Sequence, residues 1–194
     1  MTDYCTVADV KQYLDITGDN DDPLIDVLID AAKAHIDGFT GRKFAASTNT
    51  TRTFDSIRDV KGRVLWLDED LASINSITNG DGTTITSSQY TTEPRNRTPY
   101  YQIKLLASAN IRWEANSTTD DNEDAISISG KWAYAATVPD DIKQATVILA
   151  SYLYRQKDAQ VFDVTAIPDA GVIQIPTGMP ATVKHIISKY RRVL

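Results

Sequence analysis

Apolar residues recur at helical spacing near both ends of this chain, whereas the stretch between, from about Ala46 to Ala136, has the texture of short strands and turns. A chain patterned this way must bring two separated helical arms together across a β insertion. In the first arm, Thr6-Val7-Ala8-Asp9 has the form of a capping box, in which a hydroxyl accepts from an orphan amide and a carboxylate reaches back. It predicts a short helix to about Leu14. Asp22-Pro23 opens a second helix, with Asp as N-cap and Pro at the first helical position, where its missing N–H costs nothing. Leu24, Ile25, Leu28, Ile29, Ala32 and Ile36 give that helix a wide apolar stripe. It ends near Phe39, with Gly41 as a left-handed C-cap and Arg42 and Lys43 beside the negative end of the dipole.

In the middle stretch the candidate strands are Arg52 to Ile57, Arg63 to Leu67, Ser73 to Thr78, Thr84 to Thr91, Tyr101 to Leu105, Asn110 to Glu114 and Ala125 to Ser129. Asn79-Gly80-Asp81-Gly82 is the strongest hairpin signal, since tight turns with positive φ favour Asn and Gly. The polar run Asn116 to Asp124 reads as an exposed loop. At Val138-Pro139-Asp140-Asp141 the helical period returns, with Ile142, Ala145, Thr146, Leu149, Tyr152 and Leu153 on one face to roughly Lys157. A last helix, Pro180 to about Arg192, buries Val183, Ile186, Ile187 and Tyr190. The fold class predicted is α+β: a small four-helix bundle from residues 1–46 and 137–194, with an inserted, mainly antiparallel β domain at 47–136.

Asp158 to Met179 is long for a connection in a compact domain and too apolar for disorder. Two readings stand. It is a small hairpin folded on its own domain, or a segment that orders against a neighbouring subunit.

Composition narrows function. Twenty Lys and Arg stand against twenty-six Asp and Glu, a net charge of −6, which disfavours tight binding to a phosphate backbone. Charge is also uneven: residues 1–46 hold four basic side chains against nine aspartates, whereas Lys184, Lys189, Arg191 and Arg192 make the other end mildly basic. Long uncharged apolar runs and a signal peptide are both missing, so no membrane span is expected and the cytoplasm is the expected site of synthesis. The lone Cys5 and two histidines are too few for a Cys/His zinc site, and no metal or cofactor is expected.

No phosphate-binding glycine loop or nucleophile elbow occurs, so no catalytic residue is assigned and the chain is not read as an enzyme. Asp19 to Asp22 lacks the glycine and the bidentate Glu of a calcium loop and is read as capping the second helix; Asp120 to Asp124 is read as a solvated turn. His35 is read as a core-edge side chain and His185 as surface. Trp66, Tyr90, Tyr100, Tyr101, Trp113, Trp132 and Tyr134 concentrate in the β part, where sheet-core packing is the preferred reading over a stacking or sugar-binding face.

Tyr4-Cys5-Thr6-Val7-Ala8-Asp9-Val10-Lys11-Gln12-Tyr13-Leu14, Asp22 to Ile29, and Ile36-Asp37-Gly38-Phe39-Thr40-Gly41-Arg42-Lys43-Phe44 together form one set of markers. Gly130-Lys131-Trp132-Ala133-Tyr134 leading to Val138-Pro139-Asp140-Asp141-Ile142, and the closing Tyr190-Arg191-Arg192, form another. In these segments the chain resembles the head-tail connector (adaptor, or head-completion) family of long-tailed bacteriophages. The resemblance implies a non-enzymatic virion protein at the neck, assembled in the host cytoplasm. It implies a homo-oligomeric ring, usually dodecameric, between the portal protein and a downstream tail-completion or stopper protein. DNA passes through its bore without specific binding.

A closed ring needs one surface of each subunit to meet a different surface of the next. The subunit interface expected here comprises Asp26 and Asp30, Lys184 and Lys189, and Val161, Phe162, Val172, Ile173 and Ile175 of the excursion. Tyr190, Arg191, Arg192, Val193 and Leu194 are expected to dock on the portal, in a manner that truncation after Lys189 would abolish without harm to the fold. A carbohydrate- or host-surface-binding module on the β insertion, using Trp66, Trp113 and Trp132, is the alternative.

Overall fold

A computed structural model describes residues 3–159, 165–167, 171–173 and 178–192, with side chains for 3–156 and 178–192. In chain order the elements are α1 (Val7–Leu14), α2 (Asp22–Thr40), β1 (Thr50–Phe54), β2 (Val60–Lys61), β3 (Val64–Leu71), β4 (Ser73–Thr78), β5 (Tyr90–Glu93), β6 (Tyr100–Leu105) and β7 (Ile126–Lys131). There follow α3 (Asp140–Ala159), β8 (Thr165–Ile167), β9 (Gly171–Ile173) and α4 (Ala181–Ser188). The class is α+β, and every strand pairing is antiparallel. The chain divides into a β unit, Lys43–Thr137, and a helical unit made of Asp3–Arg42 and the chain from Val138 onward.

The β unit holds a three-stranded sheet, β1-β7-β4, and a four-stranded one, β2-β3-β6-β5. Strand β7 alternates buried and half-buried residues, as a strand packed on one face must. Its Ile126 and Ile128 join Phe54, Leu65, Leu71, Ile77, Ile103, Leu105, Trp113 and Trp132 in one core. Both buried indoles are satisfied: Trp132 Nε1 donates to the Thr50 carbonyl at 3.0 Å and Trp113 Nε1 to the Arg63 carbonyl at 3.1 Å. Arg52 lies over the Trp132 ring at 4.9 Å and pairs with Asp68 and Glu69, both at 2.6 Å.

Two strand predictions change and one short strand is added. Of Thr84 to Thr91 only Tyr90 and Thr91 enter a strand. The Asn79-Gly82 turn does close, with Asn79 N–H donating to the Thr83 carbonyl at 2.8 Å, but beyond it lies a single Thr78–Thr84 bridge. The chain turns again at once, with Gln89 N–H donating to Thr86 O at 2.9 Å and the Thr86 amide donating to the Gln89 side chain at 2.8 Å. The Asn79 side chain donates to Arg112 O at 2.9 Å and accepts from Glu114 N at 3.1 Å. Asn110 to Glu114 is not a strand, because Asn110 turns left-handed, φ 50°, to close a 3-10 turn over Ala107–Ala109. Strand β2, two residues long, is too short for any periodicity to mark it.

In the helical unit α1 carries its predicted capping box. Helix α2 starts at Asp22, with Asp21 at the N-cap position taking a hydrogen bond from the Tyr154 hydroxyl, and it ends at Gly41 with φ 66°. Helix α3 packs against α1, α2 and α4, and α4 also against α2. Val10, Ile25, Ile29, Ala32, Ile36, Ile142, Ala145, Leu149, Val183 and Ile187 are buried. His35 is exposed, contrary to the core-edge reading, because the packed arc of α2 is taken by Ile25, Ile29, Ala32 and Ile36. His185 is exposed as expected. The last helix stops at Ser188, short of Arg192, because the residues after it turn to meet the end of α2, where Arg192 N–H donates to Thr40 O at 2.9 Å. Strands β8 and β9 form a small hairpin.

Candidate functional site

On α2 the helical period brings Asp26, Val27 and Asp30 to the surface, with Val27 64% exposed. The acidic residues at the start of the helix are already engaged: Lys11 pairs with Asp19 at 2.5 Å and Asp22 at 2.8 Å. Asp26 lines a cleft of about 520 Å³ with Tyr4, Cys5, Asp9 and Lys143. Lys143 closes on Asp9 at 2.9 Å. Partial burial pushes the Asp9 carboxyl up, but the bonds from Lys143 and Thr6 outweigh it and hold the group below the usual carboxylate range.

Burial, with Asp9 nearby, pushes the Cys5 thiol up to about 12, so at neutral pH it stays protonated and 4% exposed. Alkylation of the native chain by iodoacetamide is therefore expected to be at least about a hundredfold slower than in urea; equal rates would contradict this packing.

At the other end Asp141 gathers three groups. Tyr190 OH donates to its carboxylate at 2.9 Å, Lys189 pairs with it at 2.5 Å, and the Ile142 amide donates at 2.9 Å. Burial again raises this carboxyl and the bonds from Lys189 and Tyr190 lower it further, for a net downward shift. Arg42 Nε donates to Tyr190 O at 2.7 Å. Tyr190 and Arg192 are thus stitched into their own helical unit, while Arg191 is exposed. Lys184 is exposed, and Lys189 is committed to Asp141.

Val161, Phe162, Ile175, Val193 and Leu194 lie outside the described residues, as do the side chains of Val172 and Ile173 on β9. Sequence reading gave Asp141 and Arg42 only helix-dipole roles; their partners lie 49 and 148 residues away, and no local pattern marks them.

Among the aromatics Trp113 and Trp132 are core, which removes two of the three tryptophans offered for a glycan-binding face, whereas Trp66 is 52% and Tyr101 46% exposed. Among the described residues no three metal-capable side chains gather, and no helix is long and apolar enough to cross a membrane. Asp124 is tied back to β1, accepting from the Thr53 hydroxyl at 2.5 Å.

An antiparallel β unit and a helical unit, with no three metal-capable side chains gathered among the described residues, define a small α+β protein. The head completion protein family matches residues 3–193, and the chain belongs to that family. This is the family its residues resembled, and it is a structural class, not an enzyme class. Among solved structures, a chain from the neck of an empty GTA particle, computed with C6 symmetry, is similar at TM-score 0.59 and 20% identity, over 97% of this chain and 90% of that one. A chain from the virion of a native gene transfer agent (GTA) particle is similar at TM-score 0.57 and 21% identity, over 97% and 90%. No curated protein sequence matches significantly.

Proposed function

We propose that this chain is a structural neck protein that forms a ring, dodecameric in the virion, between the portal and the tail or next head-completion protein. The observation that carries the reading is the family match across residues 3–193. Similarity in fold to a chain from a GTA neck supports it, and C6 symmetry is compatible with six or twelve copies. In this reading the helical unit works as a small four-helix bundle scaffold and the β unit, residues 47–136, as its insertion. DNA passes through the bore unbound, and the net charge of −6 favours that, since negative walls do not grip phosphates. Asp26 and Asp30 form one contact surface of the ring, opposite a cationic surface of the next copy, with the segment around Val161, Phe162, Val172, Ile173 and Ile175 reaching across. Arg191 and the last residues face the portal. Assembly takes place in the host cytoplasm.

Particles made without this chain are expected to contain full heads that fail to join tails, seen by negative-stain microscopy. Normal tailed particles, or necks lacking this polypeptide, would refute the reading. Arg191→Glu, which leaves the Tyr190 and Arg192 stitches in place, is expected to weaken binding to purified portal at least about tenfold.

A further inference from the structure

We propose that the solvent face of the four-stranded sheet receives the acidic α2 face of an adjacent copy of this chain. The inference rests on the ring reading and names the two surfaces that meet. Strand register places Lys61 opposite Val64, Val64 opposite Lys104, and Lys104 opposite Thr91, so these four side chains share one face across all four strands. The next row on that face is Trp66, Gln102 and Glu93. The opposite face is spent on the core, through Leu65, Ile103 and Leu105.

The solvent face therefore sets Val64 between two cations, with Trp66 in the adjoining row. Lys61 and Lys104 are exposed and, among the described residues, neither ion-pairs; Trp66 is 52% exposed and no ring or cation stacks on it there. Glu93 is neutralised by Arg95 at 3.7 Å. A half-exposed tryptophan set among charges is the composition of an interface anchor with a polar rim.

The counterpart lies on α2. Val27 stands 64% exposed between Asp26 and Asp30, and neither carboxylate ion-pairs among the described residues. Acid, apolar, acid meets base, apolar, base, with Trp66 beside that row. One helical turn separates the carboxylates by about 6 Å, and two strand spacings separate the lysines by about 10 Å, a difference that flexible lysine stems absorb. Farther along, Ala34 and Gly38 are also exposed, and a Cβ on Gly38 would meet nothing within 4 Å among the described residues. A glycine inside a helix lowers its stability; a flat, small-residue face that lets another surface come close is what it gains.

The competing cationic surface, α4, fits less well. Lys189 is committed to Asp141, and α4 shows no large exposed apolar side chain beside Lys184. Each copy carries one acidic and one basic face, so the contact is heterologous and propagates around a ring.

Paired cysteines test this, because Cys5 is buried and does not compete. Neck assemblies carrying Asp30→Cys with Lys104→Cys are expected to give a non-reducing ladder of subunit multiples after mild oxidation. Rings seen by microscopy without that ladder, or a ladder from Asp30→Cys with Lys184→Cys instead, would overturn this pairing and leave the ring standing. Absence of rings in the unaltered protein would overturn both. In the full chain, Lys61→Glu with Lys104→Glu should weaken self-association at least about tenfold with unchanged melting temperature, and Asp26→Lys with Asp30→Lys should restore it. Failure of that rescue in folded protein counts against the contact.

Discussion

Gly130→Ala is expected to destabilise the β unit by roughly 3 kcal/mol, read as a lower urea midpoint of the β signal. Gly130 sits in β7, between β1 and β4, where a Cβ would lie 2.3 Å from the Ser73 carbonyl oxygen and 2.9 Å from Leu71 Cδ1. Carbonyl oxygen cannot rotate away as a side chain can, so the strand must shift. The close approach comes at an irregularity in the β4–β7 pairing, between Ile74 and Ser76, where the ladder is locally displaced. Gly80→Ala should behave alike, because its Cβ would fall 2.1 Å from Glu114 O. Ser129→Ala, on the half-buried side of β7, is the control and should change stability by no more than about 0.5 kcal/mol. An unchanged midpoint for Gly130→Ala would mean that this strand crossing is misplaced.

Truncation after Lys189 is expected to destabilise the helical unit by roughly 3 kcal/mol. The expectation from sequence, loss of docking with the fold intact, gives way to the bonds that the segment makes. Removing it deletes the Tyr190 hydroxyl on Asp141, the Tyr190 carbonyl that accepts from Arg42, and the Arg192 amide that satisfies Thr40 O at the end of α2. Tyr190→Phe isolates the hydroxyl and should cost about 1 kcal/mol. Thermal melts of both variants check this; a truncated chain as stable as the whole would show that the stitches contribute nothing.

Two separate carboxylates set a pH dependence. Asp141 and Asp9 are both held below the ordinary carboxylate value of 3.8. A carboxyl whose pKa is lowered by folding contributes stability above its unfolded value and loses it as pH falls through the folded one. Melting temperature should thus drop below about pH 4, and Asp141→Asn should flatten part of that drop.

Helix ends and some strands were legible because their causes are local. Thr6 and Asp9 cap each other across three residues, Gly41 needs only its own φ, and β7 alternates within Ile126–Lys131. The exposure of Asp26 and Asp30 follows from the period of one helix. The resemblance of the terminal segments to head-completion proteins also lay in the residues themselves, and the family match extends it across the chain.

Other features were decided only when distant segments met. Which tryptophan is core and which is surface depends on strand register: Trp66 pairs beside Gln102 on the solvent side, while Trp113 and Trp132 find carbonyls 50 and 82 residues away. The Asn79 side chain found Arg112 and Glu114, and Lys189 found Asp141. Sequence alone determined where α1 begins and where α2 ends, since those caps are made within one turn of backbone, whereas α4 ends at Ser188 because the residues after it meet the end of α2. Tertiary structure decided which polar groups remain for a neighbour, since a buried or half-buried donor takes whichever acceptor the fold brings within reach.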